Sequence, residues 1–310
     1  MNIGEKEYGN VFLAPMAGVT EVGFRTVCKM AGADLTYTEM VNANALMHNS
    51  NKTKDLLITN PIEKPVAVQI FGHDENIMAE VCASELLEKF DLIDINFGCP
   101  APKIVKNGDG SALLNDLNKV YKIVSSCVKA ANKPITCKFR IGFFKGQNVA
   151  KEMARVCEDA GAKMITVHGR TREQMYAGAV DYETIANVKS CVKIPVVGNG
   201  DVFDIDSYQI MLQTGVDGVL VGRGALGNPN IFAKLKGIAE LNKIQLIEKH
   251  IEVLRQNYDE KFVSATMRKH LLWYISGEDN SNKIKLQVAT APLLDDAFRI
   301  VKSFLEDNKR

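Results

Sequence analysis

The sequence predicts a parallel (β/α)8 barrel of the TIM type, followed by a small C-terminal helical domain. Three observations carry that expectation. Between residues 11 and 224, short apolar or β-branched runs alternate with helical patterns, at a spacing of about thirty residues that suits βα units. The runs are nearly continuous in apolar residues, as in strands buried on both faces of a parallel sheet. After residue 240 no strand-like run follows, and the remaining 70 residues read as helices. An open doubly wound sheet is the alternative, and eight evenly spaced units weigh against it.

The strands are expected at VFLAPM (11–16), LTYTEMV (35–41), VAVQIF (66–71), LIDINF (92–97), ITCKFRI (135–141), MITVHG (164–169), IPVVGN (194–199) and GVLVGR (218–223). Helical patterns with charged faces lie between them, among others at Glu75–Phe90, Asp116–Ala131, Val149–Ala160 and Asp204–Thr214. Several are expected to close on a glycine, at Gly32, Gly161 and Gly215, where the left-handed conformation ends a helix. In the tail, Ile244, Ile247, Ile251 and Leu254 share one helical face, and Leu271, Leu272, Trp273 and Ile275 form a second apolar segment. The expected division is 1–240 for the barrel and 241–310 for the helical domain.

Composition narrows the class. The chain has 310 residues, 46% of them hydrophobic and 24% charged, which is ordinary for a globular protein. Its formal charge is +1, and the tail contributes 12 Lys+Arg against 10 Asp+Glu, so no polybasic function is written in the sum. Seven cysteines without a CxxC pair argue against a disulfide framework and against a zinc cluster, so no metal site is expected and a reducing cytoplasm is. The N-terminus lacks an apolar signal-peptide core, and no stretch reaches the roughly 18 apolar residues of a membrane span.

In such a barrel the chemistry sits at the carboxyl ends of the strands. Collected there are Pro15-Met16-Ala17, Glu39, Gln69, Cys99, Lys138-Phe139-Arg140, His168-Gly169-Arg170, Asn199-Gly200-Asp201 and Gly222-Arg223-Gly224. The last two loops are rich in glycine, which lets backbone N–H groups approach phosphate oxygens, and Arg223 adds a charge. Gly222–Gly227 also fits GxGxxG, but at the eighth strand and with no acidic residue about twenty positions on, so a Rossmann reading is rejected. Cys99 lies between a glycine and a proline on the rim. A thiol with an ordinary pKa of about 8.5 stays protonated at neutral pH and can donate that proton. Behind it, Lys103, Lys106 and the small residues 107–111 form a loop suited to closing over a ligand. No GxSxG elbow or HExxH motif points to a hydrolase.

Taken together, Ala14-Pro15-Met16-Ala17, Gln69-Ile70-Phe71-Gly72, Asn96-Phe97-Gly98-Cys99-Pro100, Lys138-Phe139-Arg140, His168-Gly169-Arg170-Thr171-Arg172, Gly198-Asn199-Gly200-Asp201 and Gly222-Arg223-Gly224 resemble the tRNA-dihydrouridine synthase family, and within it the bacterial B-type subfamily. The resemblance covers residues 10–275 in the family's order; Met267-Arg268-Lys269-His270 and Trp273-Tyr274 extend it into the tail. It implies reduction of the C5=C6 bond of uridine in tRNA, in the D-loop, with FMN as cofactor and NADPH as reductant. It implies Cys99 as the proton donor to C5. Pro15, Met16, Ala17 and Gln69 would hold the isoalloxazine edge, and Lys138 the flavin N1/O2 region. Asn199, Gly200, Asp201, Gly222 and Arg223 would take the ribityl chain and phosphate. His168 is grouped with the cofactor contacts, the choice between flavin phosphate and substrate base staying open. Asn96 and Arg170 would face the substrate, while Arg268, Lys269 and His270 would meet tRNA from the tail. A monomer is the state the resemblance favours. The rival readings are a flavin barrel acting on free pyrimidines, against which the tail and HGRTR weigh, and a tRNA-binding barrel without chemistry.

Overall fold

The computed structural model describes residues 1–48 and 50–308. Eight parallel strands form the barrel: β1 (Val11–Leu13), β2 (Thr36–Asn42), β3 (Val66–Phe71), β4 (Leu92–Phe97), β5 (Ile135–Arg140), β6 (Met164–His168), β7 (Val196–Asn199) and β8 (Gly218–Val221). From β2 to β8 each strand pairs with the next, and β8 returns to pair with β1. The ring closes through a parallel bridge between Phe12 and Leu35, with Leu13 N–H donating to the Leu35 carbonyl at 2.9 Å. The runs at 66–71 and 92–97 match their strands to the residue. The first is shorter than expected: Ala14 still donates to the Val221 carbonyl, and then Pro15 has no N–H to continue the ladder. Likewise β7 begins after Pro195 rather than at Ile194.

Both faces of these strands are buried, which explains their unbroken apolar runs. Outward residues such as Val68, Ile95, Cys137 and Val219 pack under the helices. Inward residues Phe12, Tyr37, Ala67, Leu92, Met164, Val197 and Leu220 fill the barrel, and Ile3 and Tyr8 from a short N-terminal hairpin stopper its lower end. The outer helices are α1 (Val22–Met30), α2 (Glu75–Cys82), α3 (Leu117–Ala130), α4 (Ala150–Asp159), α5 (Tyr182–Lys189), α6 (Ile205–Leu212) and α7 (Ile231–Lys236). Aspartates 74, 116, 181 and 204 accept the free N–H groups that open four of them. Gly32, Gly161 and Gly215 stand at positive φ just past α1, α4 and α6, as expected. The predicted helix 75–90 is two elements. It stops at Cys82, and the Ser84 hydroxyl accepts from Leu86 N–H to start a 3-10 turn at Glu85–Leu87.

Four helices follow: α8 (Lys243–Asn257), α9 (Glu260–Tyr274), α10 (Ser281–Thr290) and α11 (Leu294–Asp307). They share their own apolar core, in which Ile247, Leu254, Met267, Leu271, Val288 and Val301 are buried. This tail is seated on the barrel at α1. A Cβ added to Gly23 would stand 2.6 Å from the His250 ring and 2.9 Å from the His250 carbonyl, so only glycine admits α8 this closely.

Beside that contact lies a buried polar cluster that joins the two parts. One oxygen of Glu21 caps α1 through Phe24 N–H, and the other accepts a 2.6 Å hydrogen bond from His250 Nε2. His250 Nδ1 lies 3.1 Å from the Tyr274 hydroxyl oxygen, within hydrogen-bond distance. Burial alone would raise the Glu21 carboxyl, but His250 and the Phe24 N–H outweigh it and the net shift is downward. His270 lies 3.4 Å from the same Glu21 oxygen without hydrogen-bond geometry, and neither ring nitrogen has a partner among the described residues. Burial, helped by His250, pushes His270 down to about 3, so it is a neutral imidazole.

Candidate active site

The carboxyl ends of the strands surround a cleft of 580 Å³. Its walls bring together residues scattered over 200 positions: Pro15, Met16 and Ala17 after β1, Gln69 on β3, Asn96 and Cys99 at β4, Lys138 on β5, His168 on β6, Asn199, Gly200 and Asp201 at β7, Gly222 and Arg223 after β8.

One wall is built for close approach by a ligand. Gly200 adopts φ +136°, a conformation reserved for glycine. A Cβ on Gly222 would meet only Ala14 and Met16, at 3.6 and 3.7 Å, and would otherwise stand in the cleft. Asp201 is a carboxylate where an anion was expected, but two guanidiniums flank it. Arg170 donates to Asp201 Oδ1 at 2.9 Å and Arg223 pairs with the same oxygen. The hydrogen bond from Arg170 is the first reason its carboxyl lies below the usual range. Lys138 Nζ donates to Asn199 Oδ1 at 3.0 Å, and Asn199 Nδ2 donates to the Leu220 carbonyl at 2.8 Å. Burial, then Arg140, pushes Lys138 down to about 8, leaving it a cation at neutral pH.

The opposite wall carries Cys99. Its thiol is half-buried, and burial pushes its pKa up, with Arg140 and Lys138 only partly opposing, so it holds its proton at neutral pH. The turn under it is tied down on both sides. Asn96 Oδ1 accepts from Gly98 N–H (3.0 Å) and Cys99 N–H (2.8 Å), and the Cys99 carbonyl accepts from the Ser111 hydroxyl at 2.8 Å. His73 Nδ1 and Asp109 Oδ1, 2.8 Å apart, anchor the loop behind it.

Not every expected residue faces the cleft. Arg170 is buried away from the lining, its guanidinium taken up by Asp201 and by the Ala177 and Gly178 carbonyls, so it holds the β6 loop against the β7 loop instead of meeting a substrate directly. Arg268 Nη1 and Nη2 lie 3.3–3.4 Å from the carbonyls of Val288, Ala289 and Pro292, at the end of α10. Lys269 is exposed near the rim and donates to the Gly18 carbonyl at 3.2 Å. His270 is wholly buried in the Glu21 cluster and is unavailable to RNA, which corrects the expectation for it. His168 lines the cleft, and burial, reinforced by Arg140 and Lys138, keeps its imidazole neutral.

Two residues were given no role from sequence. Arg140 reaches from β5 to the Gly98, Thr171 and Met175 carbonyls, at 2.9, 3.0 and 2.7 Å, binding the cysteine turn to the β6 loop. Tyr176 stands at the mouth, 56% exposed, with the guanidiniums of Arg140 and Arg223 5.6 and 5.1 Å from its ring centre. A lone aromatic in a polar loop carries no periodic signal. Its place becomes visible only with the fold.

The dihydrouridine synthase family model matches residues 12–303. The chain belongs to the dihydrouridine synthase family. Among curated members it is 37% identical over 290 residues to the probable tRNA-dihydrouridine synthase of Rickettsia conorii, covering 89% of this chain and 87% of that protein. It is 36% identical over 289 residues to tRNA-dihydrouridine synthase B of Pasteurella multocida, again covering 89% and 87%. A second Rickettsia protein, from Rickettsia prowazekii, is 33% identical over 309 residues, 96% of this chain and 94% of its own. For this family member the match takes in both the barrel and nearly all of the helical tail. Among its described residues no helix is long and apolar enough to cross a membrane.

Proposed function

We propose that this protein reduces the C5=C6 bond of uridine in tRNA, at one or more D-loop positions, with FMN as cofactor and NADPH as reductant. The observation that carries the reading is the cleft itself, which sets a glycine-lined, cationic wall opposite a protonated thiol in a chain of this family.

The residues present suit FMN. The open face of Gly222, the left-handed Gly200 and the Arg223 guanidinium fit a ribityl phosphate, with the Asp201 charge already offset by Arg170 and Arg223. Pro15, Met16, Ala17 and Gln69 would border the ring system, and the Lys138 ammonium would stabilise negative charge at its N1/O2 edge. Reduced FMN, when bound, supplies hydride to C6 of the base.

The protein's own part is the proton. Hydride arriving at C6 leaves enolate charge on C5 and O4, and Cys99 donates its thiol proton to C5 while the resulting thiolate is re-protonated from solvent. Burial favours this because it keeps the thiol neutral until the transfer. Asn96 and His168 line the same space and would orient the uracil, His168 as a neutral imidazole that adds no charge. The uridine must leave its stack to enter, so recognition would fall on tRNA shape and phosphates, with Lys103 and Lys106 on the rim and Lys269 on the tail as the exposed cations. Arg268 would serve that surface by holding α10 in place.

The test is the visible spectrum of the purified protein, then NADPH oxidation with unmodified tRNA. A flavin band bleached by NADPH and restored by tRNA, but not by free uracil, is the expected result. Cys99→Ala should keep the flavin and its reduction by NADPH while losing about 10²–10⁴-fold in tRNA turnover, the usual worth of a positioned proton donor. A protein that cannot be loaded with FMN would sink the cofactor reading.

A further inference from the structure

Beneath the Cys99 turn, four side chains form one unbroken hydrogen-bonded line. Thr136 Oγ1 donates to Asp94 Oδ1 (2.6 Å), Gln69 Nε2 donates to Asp94 Oδ2 (2.7 Å), and Asn96 Nδ2 donates to Gln69 Oε1 (2.8 Å). Asn96 Oδ1 then accepts the Gly98 and Cys99 N–H groups. Asp94, Thr136 and Gln69 are shut away from solvent, and Asp94 does not line the cleft.

The direction of this line is forced from both ends. Backbone N–H groups only donate, so Asn96 must turn its oxygen to them and its NH2 to Gln69. A carboxylate only accepts, so Gln69 must turn its NH2 to Asp94 and its oxygen to Asn96. Two amides, each able to flip, are thus locked by a donor pair at one end and an acceptor at the other. Flipping either one sets oxygen against oxygen inside the barrel, where an unmade hydrogen bond costs most.

We propose that Asp94 is a positioning residue, whose carboxylate fixes the direction of the Gln69–Asn96 line and thereby holds the turn that presents Cys99. The consequence for turnover rests on the proton-donor role given to Cys99 above; the consequence for the turn does not.

The line makes sharp predictions because its direction can be reversed. Asp94→Asn keeps it, since the new amide can accept from Gln69 and donate to Thr136. Asp94→Leu leaves Gln69 NH2 unpartnered, so the buried amide that braces Asn96 against the turn is no longer held. Asn96→Asp sets acceptors on both sides of Gln69, which has only one donor end. In the Asn96→Asp, Asp94→Asn double variant the line runs backwards: residue 94 donates to Gln69 Oε1, Gln69 NH2 donates to residue 96, and the other carboxylate oxygen there still takes the Gly98 and Cys99 N–H groups.

The readout is the rate at which iodoacetamide alkylates Cys99, followed by peptide mass spectrometry in a Cys191→Ser background, because Cys191 is the other cysteine that is not buried. Asp94→Asn should stay within about twofold of the parent, while Asp94→Leu and Asn96→Asp should each shift the rate about tenfold, the worth of one buried hydrogen bond lost. The double variant should return toward the parent. Tryptophan fluorescence and melting confirm folding, and should Asp94→Leu fail to fold, the Asn96→Asp single and double variants decide alone. Equal rates in all variants, or no recovery in the double variant, overturn the proposal. Uridine reduction should follow the same order through kcat. If the alkylation order holds and turnover ignores it, the positioning role stands and the proton-donor role of Cys99 falls.

Discussion

Lys138 and Cys99 face one cleft, and the proposed reaction asks opposite things of them, a charge held and a proton given. Burial lowers Lys138 to about 8 and raises Cys99, so between them the site keeps a cation and a neutral acid at neutral pH. Uridine reduction should therefore fall as pH rises through about 8, where Lys138 loses its charge first. Lys138→Arg, whose guanidinium stays charged, should move that alkaline limb upward to the titration of Cys99; an unmoved limb would clear Lys138 of the effect. The same shift has a sign for stability. Folded Lys138 gives up its proton at about 8 against 10.5 for the free side chain. Between those values the unfolded chain binds more protons, and this group stabilises the fold increasingly as pH rises.

At this scale the sequence was informative about residue type and silent about direction. That Asn96, Gln69 and Lys138 gather at strand ends follows from the period of the barrel. That Asn96 spends both ends of its amide on the Cys99 turn and Gln69, or that Arg170 turns inward to Asp201, depends on neighbours 27 to 31 positions away.

Among the elements, the strands were legible because parallel strands with two buried faces leave continuous apolar runs, and prolines at 15 and 195 trimmed the ends. Helix ends were legible where glycine takes positive φ, as at Gly161. The break at Ser84 was not, because an apolar pattern passes through it and only a hydroxyl bond stops the helix. The seat of α8 on α1 was also hidden, since Gly23 inside a helix reads as a weakness until its partner is seen. Gly23→Ala should lose about 1–3 kcal/mol, the usual cost of overpacking, although alanine is the better helix former. Thermal melting measures it. A variant as stable as the parent, with the tail equally protected from proteolysis, would mean α8 is not seated this tightly.

For the whole molecule, a charge of +1 hides an uneven surface. Lys103 and Lys106 stand exposed on the helix Pro102–Lys106 that follows the Cys99 turn, and Lys269 meets the rim from the tail. If tRNA bridges barrel and tail, its phosphates cross this arc. Replacing Lys103 and Lys106 by alanine should raise KM for tRNA and leave NADPH oxidation by the flavin alone unchanged. Each phosphate contact removed should also flatten the salt dependence of binding by about one unit of slope. Unchanged affinity and slope would place the tRNA elsewhere.

The Glu21 cluster bears on how such a chain comes off the ribosome. Glu21 and His250 are separated by 229 positions. At about 5–20 residues per second, the carboxylate that caps the first barrel helix waits on the order of 10–50 s for the imidazole that will cover it. During that interval every strand has emerged and the eight-fold ring can close, yet the flank at α1 stays wet, with an ionised group and a bare glycine groove facing water. The tail dries that seam when it arrives, so the α1 flank becomes native only after α8 has emerged.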